Sequence, residues 1–239
     1  MSSLSIVIPC YNEAEGLKQL ENRLNLATKK IPSNFSYEII LVDDGSTDNT
    51  LAVMKELFSS NKKFRIVAHE KNLNLGAAIR TGISQSNSEY VIFLDSDCTY
   101  DPEYIIPILD ELVKGIDLVT LSPYHPKGEV LGVPPRRLFL SKSLSTIYQI
   151  ILGKEIYTYT AMVRGYNRKI LKEIISEKND FSAVAEMLLK AILKGYSISE
   201  IPAVLSVRKY GQSKMKVLKV IREHLKLVFR LLVMRKSFN

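Results

Sequence analysis

The first half of the chain alternates short apolar runs with amphipathic stretches, and no other feature narrows the possible folds as far. Residues 4–9, 38–43, 64–68, 90–95 and 116–121 are apolar runs of strand length that end at polar or turn-forming residues. Between the first two, Leu17, Leu20, Leu24 and Ala27 recur at helical spacing, with Asn12 as the expected cap and Glu13 and Glu15 in the first turn. Asp48 begins a second helix, residues 75–86 form a third and residues 102–114 a fourth. Repeated strand–helix units of this length predict an α/β fold with a mainly parallel sheet and helices on both faces. In such sheets ligands bind at the carboxyl ends of the strands. Three polar clusters fall there: Tyr11-Asn12-Glu13, Asp43-Asp44-Gly45-Ser46 and Asp95-Ser96-Asp97.

After residue 121 the rhythm changes. Residues 122–135 read as a Pro- and Gly-rich loop, 136–152 as a helix and 157–166 as an extended or irregular segment. Phe181, Val184, Ala185, Leu188 and Ile192 then mark one face of a helix that stops at Gly195. Residues 196–207 read as a strand interrupted by Pro202, which places it at a sheet edge. Leu218, Ile221, Leu225, Val228 and Leu232 run at helical spacing between Lys and Arg residues, the pattern of a basic amphipathic helix. We therefore divide the chain into a main domain, residues 1–214, and a C-terminal helix, residues 215–239, packed on the domain or lying on a membrane.

Charge sharpens the second half. The net charge is +8, yet residues 203–239 carry ten Lys or Arg against one acidic residue, Glu223. Such a tail attracts phosphate, of nucleic acid or of anionic lipid. Tyr210, Phe229 and Phe238 are too few and too widely spaced among these charges for the regular interleaving that base stacking requires, so nucleic acid is the poorer partner. The N-terminal apolar run is too short for a signal peptide, and no window of about 18 uncharged apolar residues predicts a transmembrane span. The two cysteines, Cys10 and Cys98, make no disulfide framework and suit a reducing cytosol.

Asp95 and Asp97 point to the same side of an extended segment, and two such carboxylates are costly unless a cation joins them. Mg²⁺ commonly takes one or two protein carboxylates and completes its shell with phosphate and water oxygens. A solvated turn is the alternative, but the pair ends a buried strand at the ligand edge. Asp43 is either a turn residue or an acceptor for the N–H groups of a nucleobase. Gly76, at a helix start, suits close approach by a diphosphate or ribose. The Gly-x-Gly-x-x-Gly spacing of a dinucleotide fold is missing.

Together these residues resemble the family 2 glycosyltransferases of the GT-A fold. The matching segments are Ile8-Pro-Cys-Tyr-Asn-Glu13, Val42-Asp-Asp-Gly-Ser-Thr-Asp48, Asn74-Leu-Gly-Ala-Ala78 and Phe93-Leu-Asp-Ser-Asp97. The resemblance implies a Rossmann-like GT-A sheet. It implies nucleotide-sugar binding by Pro9, Tyr11, Glu13 and Asp43, with Gly76 and Ser96 beside them. It further implies Mg²⁺ or Mn²⁺ held at Asp95 and Asp97, with Thr99 at a position often held by Gln.

The second half is similar to the polyprenyl-phosphate hexosyltransferases, the dolichol-phosphate mannose synthase type. Arg137 with Ser141, Arg164-Gly-Tyr-Asn-Arg168, and Arg208 with Gly211-Gln-Ser-Lys214 carry that likeness. It departs at Ser122-Pro123-Tyr124, where the subgroup has Ser-Arg-Tyr and where His125 or Lys127 would have to replace the arginine. It departs again at Thr160-Ala-Met-Val, where Thr-Ser-Gly-Phe is expected.

The implied reaction moves a hexose, with inversion, from a GDP- or UDP-sugar to a polyprenyl phosphate. Arg137, Ser141, Arg208 and Lys214 would hold the acceptor phosphate, and Asp97, Arg137 and Arg208 would carry the catalytic charges. A phosphate acceptor needs no general base, and residues 179–182 lack the acidic pair of hydroxyl-directed relatives, although Asp180 or Glu186 could serve. The expected setting is the cytoplasmic face of a membrane, as a peripheral protein, with any integral membrane partner a separate chain. The alternative is a soluble relative acting on a saccharide or protein hydroxyl.

Overall fold

A computed structural model describes residues 2–211 and 217–236, with the side chains of 136, 137, 217–219 and 232–236 outside the description. Nine strands and eight α-helices are formed by these residues: β1 Ser2–Cys10, α1 Leu17–Thr28, β2 Phe35–Asp43, α2 Thr50–Phe58, β3 Phe64–Ala68, α3 Leu75–Gln85, β4 Tyr90–Phe93, α4 Ile105–Val113 after a 3-10 turn at Pro102–Tyr104, β5 Leu118–Ser122, β6 Glu129–Leu131, α5 Pro135–Leu152, β7 Arg164–Asn167, α6 Arg168–Ile174, α7 Ser182–Leu193, β8 Ile198–Pro202, β9 Val204–Ser206 and α8 Val217–Lys236.

Seven strands form one sheet in the order β3-β2-β1-β4-β7-β5-β8. Every pairing is parallel except those of β7, which runs antiparallel to β4 and β5. Its inner strands are apolar on both sides because both faces are covered. Leu4, Ile6 and Ile8 of β1 join α1, α2 and α4 in one core layer, while Val7 joins α3, α7 and α8 in the other. β2 alternates in the same way, with Ile39 and Leu41 on the first layer and Ile40 and Val42 on the second.

Several boundaries differ from the sequence reading. Helix α1 begins at Leu17 with Gly16 as its N-cap, so Asn12 does not cap it and Glu13 and Glu15 precede its first turn. Asn12 instead sits at φ 54° and binds the neighbouring loop. Asp48 does serve α2, accepting the Thr50 N–H at 2.9 Å. The irregular segment ends in β7, and α6 follows it directly; neither has a strong local period, being 4 and 7 residues long. The loop after β5 contains β6, which pairs with β9 in a small second sheet. Pro202 lies on β8, at the edge of the main sheet, as its missing N–H requires.

The C-terminal helix docks on the domain. It packs against α5 and α7 and buries His224, Leu227 and Leu231, with Val228 partly covered. Leu225, expected on the apolar face, is exposed. The helix has a second apolar stripe, and the one nearer the core is buried; Leu218 and Leu232 lie outside the described side chains.

Candidate active site

The loops after β1, β2 and β4 meet at the carboxyl edge of the sheet. Because β1 lies between β2 and β4, its terminal residues touch both neighbours. Asn12 fastens the first two loops together: its N–H donates to Ser46 Oγ at 2.9 Å and its side-chain oxygen accepts the Thr47 N–H at 2.8 Å. The Glu13 N–H donates to Thr50 Oγ1 at 2.8 Å, and the Asp44 N–H to the Cys10 carbonyl at 2.8 Å. Gly45, at φ +66°, passes so close to the next loop that a Cβ would lie 2.2 Å from the Lys71 carbonyl carbon.

Two adjacent aspartates divide the work in this cradle. Asp44 is consumed internally: its Oδ1 accepts the Leu73 N–H at 2.9 Å and lies 2.8 Å from His69 Nδ1, while His69 Nε2 lies 2.9 Å from Thr81 Oγ1. Asp43 is buried as well, but its Oδ1 has no hydrogen-bond partner among the described residues, and its Oδ2 accepts a long 3.4 Å bond from the Ser46 N–H. A buried carboxylate oxygen without a donor costs free energy, so its place at the ligand edge marks it as a receptor for a ligand N–H or O–H. Pro9 is buried in β1 and Tyr11 is half-buried beside it.

Gly76 has a different role from the one its position suggested. Its N–H donates to the Asn179 carbonyl at 2.7 Å, and a Cβ there would lie 2.1 Å from the Lys178 carbonyl oxygen. The missing side chain lets α3 pack against the segment before α7, so this amide is not presented to a phosphate. Arg80 reinforces the contact by donating to the Ser176 carbonyl at 2.9 Å and the Lys178 carbonyl at 2.7 Å.

At the end of β4, Ser96 is buried against the Cys10 thiol. The half-buried Asp97 accepts the Thr99 N–H on Oδ1 at 3.0 Å. The Thr99 carbonyl in turn accepts the Ser206 N–H at 2.9 Å, so Thr99 positions Asp97 through its backbone. Arg208, from beyond β9, closes the site. Its Nε and Nη2 donate to Asp97 Oδ2 at 3.0 and 2.8 Å, and Nη2 lies 3.1 Å from Glu13 Oε1. Burial would lower the arginine pKa, but Asp97 and then Glu13 raise it above its ordinary value.

A divalent metal fits here on chemical grounds. Asp97 already binds a cationic group, and no cluster of three or more His, Cys, Asp or Glu converges among the described residues. Asp95 and Asp97 stand two residues apart beyond β4, and two carboxylates suit a metal whose remaining ligands come from a diphosphate and water. The thiols do not compete: burial first, and the nearby carboxylates next, push Cys98 up to about 12 and Cys10 upward too.

On the acceptor side, Ser141 of α5 shares a 2.8 Å hydrogen bond with Thr160 Oγ1. The Arg137 side chain and all of Lys214 lie outside the described residues. His125 packs edge-on against Tyr157 at 5.4 Å between ring centres, and its Nδ1 accepts the Lys127 N–H at 3.1 Å. Arg164 is fully buried, donating to Thr120 Oγ1 and to the carbonyls of Tyr159 and Val184, so it supports the wall of the site. Arg168 sits at the opposite end of β7, on Ser86 Oγ. Asp180 caps α7 at the Ser182 N–H, and Glu186 accepts from Ser176 Oγ at 2.8 Å and faces Lys190 at 3.5 Å, so both are engaged in packing α7.

Sequence reasoning missed His69, which meets Asp44 across 25 residues of chain, and Thr81, which meets His69 across 12; neither belongs to a local motif. It also missed Glu200, whose carboxylate accepts the N–H groups of Tyr157 and Thr158 at 2.9 and 2.8 Å and fixes the segment before Thr160. Burial raises the Glu200 pKa even though those N–H bonds oppose it. An acidic residue in an otherwise β-forming run was the available signal.

With this geometry in view, comparison with known proteins is informative. The profile of Glycosyl transferase family 2 matches residues 5–175. A polyprenol monophosphomannose synthase from Mycolicibacterium smegmatis is 33% identical over 222 residues, 88% of this chain and 80% of that protein. A dolichol-phosphate mannosyltransferase from Pyrococcus furiosus is 29% identical over 232 residues, 96% of this chain but 63% of that protein. Among solved structures, glucosyl-3-phosphoglycerate synthase from Mycobacterium tuberculosis with phosphoglyceric acid superposes at a TM-score of 0.74 with 17% identity, covering 96% of this chain and 80% of its own. The same synthase with Mg²⁺ and uridine diphosphate gives 0.71 at 18% identity, covering 98% and 79%.

Proposed function

The chain belongs to glycosyl transferase family 2, and from that premise we propose that it transfers mannose from a nucleotide-activated donor to a polyprenyl phosphate at a membrane surface. The observation that carries this reading is the meeting of Asp97 with Arg208. A donor-side anion and an acceptor-side cation share one spot at the carboxyl edge of the sheet. The names of the two mannosyl-transferring relatives supply the sugar and the acceptor class.

In this reading Asp43 Oδ1 accepts a nucleobase N–H, and the Asn12–Thr47 clasp keeps that cradle in shape before the donor arrives. Asp95 and Asp97 would hold a divalent metal, which neutralises charge developing on the leaving diphosphate. Arg208 and Ser141, with Arg137 and Lys214, gather the acceptor phosphate by charge-assisted hydrogen bonds. Its oxygen attacks the anomeric carbon opposite the leaving diphosphate, and the configuration inverts. An ionised phosphate has no proton to lose, in keeping with the engagement of Asp180 and Glu186 in packing α7.

The membrane is reached through α5 and α8. No helix among the described residues is long and apolar enough to cross a bilayer. Phe139 and Ile150 on α5 and Phe229 on α8 are nonetheless 71, 74 and 68% exposed, and Arg222, Lys226 and Arg230 flank Phe229. Apolar anchors beside basic residues suit the interface of an anionic bilayer.

The test incubates the protein and Mn²⁺ with labelled GDP-mannose, UDP-glucose and UDP-GlcNAc in the presence of a polyprenyl phosphate. Label from GDP-mannose in the organic phase is the expected result. Label transferred to water-soluble saccharides would assign a hydroxyl acceptor and overturn the proposal.

A further inference from the structure

The placement of Arg208 carries more than its share in phosphate binding. Its backbone is fixed on both sides, by the Ser206 N–H on the Thr99 carbonyl at 2.9 Å and the Gly211 N–H on Glu15 Oε2 at 3.2 Å. Thr99 follows Asp97 closely, so the strand that delivers Arg208 is anchored to the loop that carries the metal carboxylate. The side chain can therefore pivot while the backbone stays in register. At present its guanidinium grips Asp97 Oδ2 with two N–H groups and reaches Glu13 at 3.1 Å.

That grip has an electrostatic consequence. A guanidinium has donors and no acceptor, so it cannot ligate a metal. Nor can it share one carboxylate oxygen at close range with a divalent cation without strong like-charge repulsion. Arg208 brings one positive charge to Asp97 and Glu13 where a divalent ion brings two, so the ion has the stronger claim on Asp97. Glu13, buried and already 3.1 Å from the guanidinium, then remains as the carboxylate on which the displaced group stays in the site.

We propose that Arg208 is the resident counter-cation of Asp97, that a divalent metal displaces it, and that metal loading thereby hands Arg208 to the acceptor phosphate with Glu13 as its tether. The inference rests on the reading above, in which Asp97 serves a metal and Arg208 a phosphate. By linkage, removing the competitor tightens metal binding. A guanidinium that merely cross-linked two loops would have the opposite effect or none when removed.

The experiment is a Mn²⁺ titration followed by electron paramagnetic resonance of the free ion. It uses the full chain with saturating GDP or UDP and no acceptor, so it does not depend on turnover. Arg208→Ala is expected to bind Mn²⁺ about tenfold more tightly than the wild type, with Arg208→Lys in between because an ammonium lacks the two-pronged grip. Thermal melts establish that each variant is folded, and Arg208→Lys alone decides the matter where the alanine variant is not. Unchanged or weaker Mn²⁺ binding in folded variants overturns the displacement while leaving the metal role intact. A wild type that binds no Mn²⁺ even with nucleotide overturns the metal reading and the inference together.

Discussion

The proposed donor half and the proposed acceptor half of the site are built differently. Around the ends of β1 and β2, loops clasp one another through short-range backbone and side-chain bonds, as Asn12 does with Ser46 and Thr47. Asp43 Oδ1 is left without a partner there. That cradle is complete before any ligand arrives, so donor binding reorders little. The acceptor half draws Ser141 from α5, Thr160 from an irregular segment and Arg208 from beyond β9, and Arg208 is turned toward the donor carboxylates. In the proposed displacement, a clasped donor cradle faces a cation that the metal redirects.

The largest effect is expected where the two halves meet. Asp97→Ala should cut turnover by at least about a hundredfold, the scale of losing a group that stabilises transition-state charge. Near-normal turnover in metal-free buffer would remove the metal from the donor half altogether.

Acid should separate the halves by stability. His224 of α8 is buried, its Nδ1 lies 3.0 Å from Tyr148 Oη on α5, and its pKa is lowered to about 4 by burial and then by Lys178, with Asp180 opposing. A histidine whose folded pKa lies below its unfolded value leaves stability unchanged above about pH 6.5 and takes it away as pH falls toward 4. The full loss is about 3 kcal/mol. Denaturant midpoints should therefore drop between pH 6.5 and 4 in the wild type and much less in His224→Gln.

Smaller effects sharpen each side. Asp43→Asn should weaken nucleotide binding about tenfold in calorimetry while leaving metal affinity in the absence of nucleotide unchanged. Ser141→Ala should raise the acceptor KM about threefold with kcat nearly constant, since one neutral hydrogen bond is at stake. A larger fall in kcat than rise in KM would move Ser141 out of acceptor binding.

Legibility followed the same division. The strands of the donor half were readable because a parallel sheet covered on both faces demands continuous apolar runs. Asp43, Asp95 and Asp97 stood out because polar residues end those runs. Gly76 was misread: its helix-start position looks like a phosphate site, and only the packing partner, the Lys178 carbonyl, explains the glycine. β7 was legible only as part of an extended or irregular segment, because a four-residue strand takes its stability from neighbours on both sides and not from its own pattern. The C-terminal helix was recognised by its period, but which of its apolar stripes faces inward depends on where α5 and α7 lie.

By itself, the sequence determined the α/β rhythm, the sheet edge at which the polar loops collect and the carboxylates that lie there, since each is written in short runs whose meaning is local. Only the tertiary structure decided that Asp44 turns inward to His69 and Thr81 while its neighbour Asp43 keeps an oxygen open. Only it brought Arg208 across 111 residues to Asp97. Those outcomes depend on chain closure and burial, where a charge takes whatever partner the fold delivers, and spacing along the chain carries no record of that choice.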